Sequence, residues 1–294
     1  MSITSFRESD RPLPVTFQAL QEKKQSGQPI AALTAYDYAT ARLVDEAGID
    51  LVLVGDSLAM VVMGYESTLP VTVDEMLHHT RAVRRAVRRA LVVADMPYGS
   101  YHSGIEQAVA NAVRFVKEAG AQAVKIEGGA ARAELVERLT AAEIPVVGHL
   151  GLTPQSVHRM GGYKVQGKTT AAIAELLHDA HTLEAAGAVL LVLEGIPREV
   201  AARITSEIGI PTIGIGAGPD CDGQILVFHD LVNLSFTPAP KFARHYADAA
   251  SLFRDAIENY RRDVEDRAFP SDRESYHLPR EASVALGPSA VRRA

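Results

Sequence analysis

Six ionisable residues follow short apolar runs almost without transition. Asp56 comes directly after Leu51-Val52-Leu53-Val54-Gly55, Asp95 follows Leu91–Ala94, and Lys125 and Glu127 flank Ile126 at the end of Ala123–Ile126. His149 follows Pro145–Gly148, and Glu194 follows Val189–Leu193. If the runs are neighbouring strands, their ends lie about 4.8 Å apart. Carboxylates that close repel one another unless a cation sits among them. Asp56, Asp95 and Glu127 are hard oxygen donors with no cysteine or histidine cluster beside them. They point to Mg²⁺, with coordination positions left for substrate and water. The competing reading makes each acid a cap for the helix after its strand. Three acids in consecutive units favour the metal.

The remaining groups extend the chemistry. Glu194 leaves a very apolar strand, so a desolvated carboxylate there would have a raised pKa and could act as a general base. A helix-start charge or an ion pair with Arg198 is the plainer alternative. Lys125 lies two residues before Glu127, on the same side of a strand. It could bind a carboxylate, form a Schiff base, or neutralise the acids. His149 has a similar range, down to plain structural hydrogen bonding.

The runs themselves set the architecture. To those above are added Ile30–Ala35, Pro211–Ile215 and a weaker run at Ile225–Phe228. Most lack strict alternation, as strands buried on both faces of a parallel sheet do. Between them lie helical patterns: Val73–Arg89, Ile105–Ala119, Thr170–Ala186 and Leu43–Ala47. Three stop at an Ala-Gly pair: Ala47-Gly48, Ala119-Gly120 and Ala186-Gly187. Eight β-α units predict an α/β protein, a (β/α)8 TIM barrel, with a doubly wound sheet as the competitor. In such a barrel the loops after the strands carry the chemistry, and the six residues sit there. Thr16–Gln25 reads as a short N-terminal helix closing the barrel floor. The barrel domain is expected over 1–262. From Asp263 the charge, proline and serine content predicts a disordered C-terminal tail over 263–294.

Composition removes other classes. The 294 residues are 47% hydrophobic with a net charge of −6, enough for a full core and unlike a nucleic-acid binder. Met1–Pro12 lacks a signal-peptide core, and Ala185–Leu193 is too short to span a bilayer, so no membrane association is expected. Cys221 alone makes no internal disulfide and no cysteine-rich zinc site, which fits a cytoplasmic location. The Gly214-Ile215-Gly216-Ala217-Gly218 stretch lacks dinucleotide spacing and reads as a tight turn. The run Arg81, Arg84, Arg85, Arg88 and Arg89 has no interleaved aromatics and reads as a solvated face or subunit contact.

Longer motifs are specific. Leu33–Tyr38, Val54–Leu58, Val124–Gly129, Gly148–Ser156, Gly161–Gly167 and Ile213–Gly218 resemble, in order, the ketopantoate hydroxymethyltransferases (3-methyl-2-oxobutanoate hydroxymethyltransferases). The resemblance spans roughly Thr16 to Phe242. Ala59 in place of a common Gly, Gly195 where some relatives have Cys, and the Pro219-Asp220-Cys221 loop depart from it without touching a proposed carboxylate. The resemblance implies a (β/α)8 barrel that transfers a one-carbon unit from the co-substrate 5,10-methylenetetrahydrofolate to 3-methyl-2-oxobutanoate. The product is 2-dehydropantoate, on the way to pantothenate and coenzyme A. It also implies Mg²⁺ on Asp56, Asp95 and Glu127, oxo-acid binding by Asp56, Ser57, Asp95 and Lys125, Glu194 as proton acceptor, and a homodecamer.

On this reading Mg²⁺ would chelate the 2-oxo group and a carboxylate oxygen, acidify the C3–H and stabilise the enolate. Glu194 would take the proton, and Lys125 would hold the substrate carboxylate rather than form an imine. The nearest rival is a Mg²⁺-dependent C–C lyase of the isocitrate lyase and phosphoenolpyruvate mutase type. Those enzymes usually carry a cysteine in a gating loop, and Cys221 is in no such motif. A non-enzymatic binding barrel would have no need for the acids.

Overall fold

The computed structural model describes residues 13–236, 240–279 and 282. Its strands are β1 (Ile30–Thr34), β2 (Leu51–Val54), β3 (Leu91–Asp95), β4 (Ala123–Glu127), β5 (Val146–Gly151), β6 (Leu190–Glu194), β7 (Thr212–Ile215) and β8 (Gly223–Leu226). They pair in sequence order, all in parallel, and β8 returns to β1 to close an eight-stranded barrel. Helix α1 (Phe17–Ser26) precedes the barrel, and α2 (Tyr38–Glu46), α3 (Leu58–Val61), α4 (Val73–Ala86) and α5 (Ile105–Lys117) follow the first three strands. Next come α6 (Ala133–Ala141), α7 (Val157–Met160), α8 (Thr170–Ala185), α9 (Arg198–Glu207), α10 (Phe228–Leu231) and α11 (Ala249–Glu265). The expected TIM barrel is present.

Alternation along each strand separates two cores. Residues such as Ala32, Leu53, Val93, Val147, Val192 and Ile213 fill the barrel interior. Their neighbours Leu33, Val52, Val92, Val146 and Leu191 pack outward against the helices. Both faces are apolar, which hides the period of two from a reader of the sequence. Helix α1 closes the floor as expected: Leu20, fully buried, joins the interior cluster. Lys23 and Lys24 pair there with Asp50 and Asp222, at 2.6 and 2.8 Å.

Local chemistry sets the helix ends. A Thr72–Glu75 capping box opens α4. The Ala-Gly stops place Gly120 and Gly187 at φ +73° and +99°, a left-handed turn that only glycine enters without strain. Helix α4 ends at Ala86 rather than Arg89 because the Asp45 carboxylate captures the backbone N–H groups of Arg88, Arg89 and Ala90. Strand β5 runs three residues past Gly148, held by the pairing of Gly151 with Glu194. Strand β8 starts earlier and ends at Leu226, since Phe228 opens α10.

Contacts divide the chain into two units, Met1–Leu231 with Ser235–Arg244, and Val232–Leu234 with His245–Ala294. In the second, α11 starts on an Asp248 cap and carries a partly exposed apolar set, Phe253, Ile257, Tyr260 and Val264. It runs through Glu265, so the compositional boundary at 262/263 falls inside a helix. Residues 266–279 hold only a short turn at Asp272–Glu274. The disorder expected of the tail falls in part on 280, 281 and 283–294, outside the described residues. Among the described residues no helix is long and apolar enough to cross a membrane.

Candidate active site

The site follows from strand parity. Leu91, Val93 and Asp95 point inward, as do Ala123, Lys125 and Glu127, then Val147 and His149, then Leu190, Val192 and Glu194. Each inward row is apolar at the floor and turns polar at its C-terminal end. Register adds the cross-links: Asp95 is level with Lys125, Glu127 with His149, and Gly151 with Glu194. Asp56 stands just past β2, behind Gly55. A Cβ on Gly55 would lie 2.8 Å from Ser57 Oγ and 3.6 Å from Asp95 Oδ2, so a side chain here would displace the Ser57 hydroxyl.

All the ionisable groups but Glu194 are nearly sealed: Asp56, Asp95, Lys125, Glu127 and His149 are 2–4% exposed. None of the three acids caps a helix. Asp95 Oδ2 accepts from the Asp56 N–H at 3.0 Å, Asp56 Oδ2 from Gln155 Nε2 at 2.8 Å, and Glu127 Oε2 from the Gln155 N–H at 3.0 Å. The Lys125 ammonium lies 3.0 Å from Asp95 Oδ1 and 3.9 Å from Glu127 Oε1. Despite that proximity, Asp95 Oδ1 has no well-directed hydrogen bond. The His149 ring bridges to the remaining acid. Its Nδ1 is 3.1 Å from Lys125 Nζ and 3.5 Å from Glu127 Oε1, while Nε2 is 3.2 Å from Glu194 Oε2.

The charges push on one another. Burial, then the Asp95 and Glu127 carboxylates, raise Asp56 well above the ordinary carboxylate value. Burial also raises Asp95, although Lys125 and the Asp56 N–H pull the other way. For Glu127 burial is outweighed by His149, Lys125 and the Gln155 N–H, which hold it low. Lys125 resists the burial penalty because Asp95, Glu127 and Asp56 keep it charged above its usual value. Burial and Lys125 oppose protonation of His149, but Glu127 and Glu194 carry its pKa up to about 9. In the neutral ring the Lys125 ammonium donates to Nδ1, which leaves the proton on Nε2 facing Glu194.

The structure brings Asp56, Asp95, Lys125, Glu127, His149 and Glu194 together at one end of the barrel. Glu194 is less enclosed than its strand implies, with 16% of its side chain exposed. The alternative pairing with Arg198 fails, since Arg198 bonds Asp220 at 2.8 Å. Ser57 Oγ meets the buried Tyr36 hydroxyl at 2.8 Å. Sequence reasoning gave no role to Gln155 or Tyr101. Tyr101 donates its hydroxyl hydrogen to Gln155 Oε1 at 2.6 Å and accepts from the Glu127 N–H at 3.1 Å.

Among the described residues no three His, Cys, Asp or Glu side chains form a ready-made metal cage. The Lys125 ammonium lies beside Asp95 and Glu127 instead. Even so, the donor set is all hard oxygen, one buried oxygen lacks a hydrogen bond, and Asp56 is held up by its acid neighbours. Those features suit a small hard cation. Chemically, the arrangement offers a set of hard oxygen donors, a fixed ammonium, and a partly exposed carboxylate beside a histidine.

Solved structures share the barrel. A phosphonopyruvate hydrolase complexed with oxalate and Mg²⁺ superposes with a TM-score of 0.60 at 16% identity, over 88% of this chain and 93% of that one. A 2,3-dimethylmalate lyase of the phosphoenolpyruvate mutase/isocitrate lyase superfamily gives 0.56 at 17% identity, over 94% and 96%. At such identities the likeness is one of fold. Sequence relatives are far nearer. The 3-methyl-2-oxobutanoate hydroxymethyltransferase of Koribacter versatilis (strain Ellin345) is 67% identical over 92% of each chain. That of Thermoanaerobacter sp. (strain X514) is 54% identical over 90% of this chain and 96% of its own. The family model described as ketopantoate hydroxymethyltransferase matches residues 14–272. The chain therefore belongs to the ketopantoate hydroxymethyltransferase family of enzymes.

Proposed function

We propose that the protein transfers a hydroxymethyl group from 5,10-methylenetetrahydrofolate to 3-methyl-2-oxobutanoate, giving 2-dehydropantoate for pantothenate synthesis. We place it in the cytoplasm as a homodecamer, with Mg²⁺ held by Asp56, Asp95 and Glu127. The observation that carries the reading is the 67% identity to a 3-methyl-2-oxobutanoate hydroxymethyltransferase across nearly the whole chain. The inward acid, lysine and histidine cluster supports it as the place of reaction.

Bound Mg²⁺ supplies Lewis-acid polarisation of the substrate's 2-oxo group. Lys125, kept charged by Asp95, Glu127 and Asp56, pairs with the oxo-acid carboxylate. A charged amine has no lone pair for imine formation, so Lys125 binds and does not attack. Ser57, anchored by the Tyr36 hydroxyl, adds a hydroxyl to the same pocket. Glu194 accepts the C3 proton: it is the most accessible of the carboxylates, and the His149 imidazole lies 3.2 Å from it. The buried lower row below Lys125 keeps water out from beneath.

The test is incubation of the purified protein with 3-methyl-2-oxobutanoate, other oxo acids, a substituted malate and methylenetetrahydrofolate, with products identified by mass spectrometry. Folate-dependent gain of a hydroxymethyl group on 3-methyl-2-oxobutanoate is expected. Cleavage of a carbon–carbon bond in a substituted malate, with no folate requirement, would overturn the reading in favour of a lyase.

A further inference from the structure

We propose that Gln155 is a positioning residue that caps one oxygen of Asp56 and one of Glu127, leaves each of these acids its other oxygen for a cation, and so favours a small six-coordinate ion over Ca²⁺. The inference rests on the metal reading above and assigns a role to a residue that touches no reacting atom.

Gln155 is 5% exposed and lies in the Pro154–Ser156 turn that follows β5. Its amide has one sensible orientation. Nε2 faces two acceptors, Asp56 Oδ2 at 2.8 Å and the Met96 carbonyl at 3.0 Å, and it has two hydrogens to give. Oε1 faces a donor, the Tyr101 hydroxyl at 2.6 Å. A flipped amide would set carbonyl oxygen against carboxylate and carbonyl, and would strip Tyr101 of its acceptor. The backbone N–H of the same residue donates to Glu127 Oε2 at 3.0 Å. One buried residue thus ties down carboxylates from two different strands.

The consequence is a repeated pattern. Asp56 has Oδ2 capped by Gln155 Nε2, and Glu127 has Oε2 capped by the Gln155 N–H. Asp95 has Oδ2 capped by the Asp56 N–H. For Asp95 and Glu127 the second oxygen is the one nearer Lys125 Nζ, at 3.0 and 3.9 Å. A carboxylate oxygen held by a buried N–H has one lone pair taken and its plane fixed, which biases the acid toward binding a cation through its other oxygen. Mg²⁺ takes six ligands in near-octahedral geometry, one oxygen from each acid, whereas Ca²⁺ gains its seventh and eighth ligands from bidentate carboxylates. Capping disfavours the bidentate option. Because the caps are buried, breaking one leaves an unpaired donor in a dry site, which makes the arrangement hard to relax. Tyr101 supports the amide from behind through a hydroxyl that also holds the Glu127 N–H.

The experiment compares the full-length protein with Gln155→Leu, Tyr101→Phe and Asp95→Asn, each stripped of metal by chelation. Mn²⁺ binding is followed by the paramagnetic resonance signal of the free ion, and Mg²⁺ and Ca²⁺ are titrated as competitors. The unmodified protein should release Mn²⁺ to Mg²⁺ at lower concentration than to Ca²⁺. Gln155→Leu should weaken Mn²⁺ binding by about 10–100-fold, the usual effect of losing a residue that orients a ligand, and narrow the Mg²⁺/Ca²⁺ preference by about tenfold. Tyr101→Phe should narrow that preference in the same direction by less. A role confined to holding the loop would lower the melting temperature and leave the ratio alone, and that result would overturn the proposal. If Gln155→Leu does not fold, an unchanged ratio in Tyr101→Phe overturns it equally. Absence of Mn²⁺ binding by the unmodified protein would sink both this proposal and the metal reading. Binding lost in Asp95→Asn but unaltered in the Gln155 and Tyr101 variants would sink this proposal alone.

Discussion

Replacing Glu194 with glutamine isolates the proton-transfer step. The side chains have the same shape, and the glutamine oxygen can keep the position 3.2 Å from His149 Nε2 that the carboxylate oxygen holds. Geometry is thus conserved while the ability to take a proton is removed. The C3 proton of 3-methyl-2-oxobutanoate should exchange with D₂O on the unaltered enzyme without folate, which is read by proton NMR as loss of the C3 signal. General-base removal accounts for about 10²–10⁴-fold in rate. At about 1.36 kcal/mol per decade that is about 2.7–5.4 kcal/mol of barrier. The fall should appear in the exchange rate at saturating oxo acid, with KM little changed, because Glu194 lies away from the ammonium assigned to the substrate carboxylate. Exchange within twofold of the unaltered enzyme in a folded Glu194→Gln protein would refute the reasoning. It would move the base elsewhere, and because His149 is held protonated up to about pH 9, a His149→Gln variant assayed across that pH range would show whether the ring takes the role.

Further predictions follow from the other groups. Asp95→Ala should abolish activity while the circular dichroism spectrum stays barrel-like, and activity of the chelated wild type should return only with added Mg²⁺; full activity after thorough chelation would contradict the metal assignment. Borohydride with the oxo acid should leave the protein unmodified by mass, since Lys125 is held charged, and Lys125→Ala should chiefly raise the KM for the oxo acid. At the floor, burial pushes Asp50 up, but Lys23, the Ala31 N–H and Arg89 outweigh it and hold its pKa low. Its folded value is below its unfolded value, so its stabilisation is complete above the unfolded carboxylate range and is lost as pH falls through the folded one. Asp50→Asn should therefore flatten the acid limb of the stability curve in urea melts taken from neutral pH downward.

The barrel was legible because its strands are apolar on both faces and its helices carry glycine stops. What the sequence hides is parity. Nothing in Ala123-Val124-Lys125-Ile126-Glu127 says which side chains face the axis until register sets Lys125 level with Asp95. The six ionisable residues were legible because charge after a greasy run is abrupt. Gln155 and Tyr101 were not, since a polar residue in a proline-bearing loop looks like any surface residue, and only the folded chain buries them. Helix α4 was read three residues too long for a related reason. The acid that ends it, Asp45, lies about forty residues upstream, beyond the reach of any local pattern.

Strand β2 shows how one fold divides its charges between stability and chemistry. Asp50 stands just before it and Asp56 just past its other end, and both are nearly buried. Asp50 meets two cations and a backbone N–H, and its carboxylate is held low. Asp56 meets two further carboxylates, and its own is driven up. The floor charges are thus satisfied within the chain. Those at the C-terminal end are left with more negative charge than Lys125 alone can answer, in a place where burial makes the imbalance expensive. That imbalance is tolerable only because the apolar rows beneath and the outer helices fix the strand ends without help from the site. The same burial that destabilises the acids also strengthens their hold on any cation that enters, because there is little water to screen it.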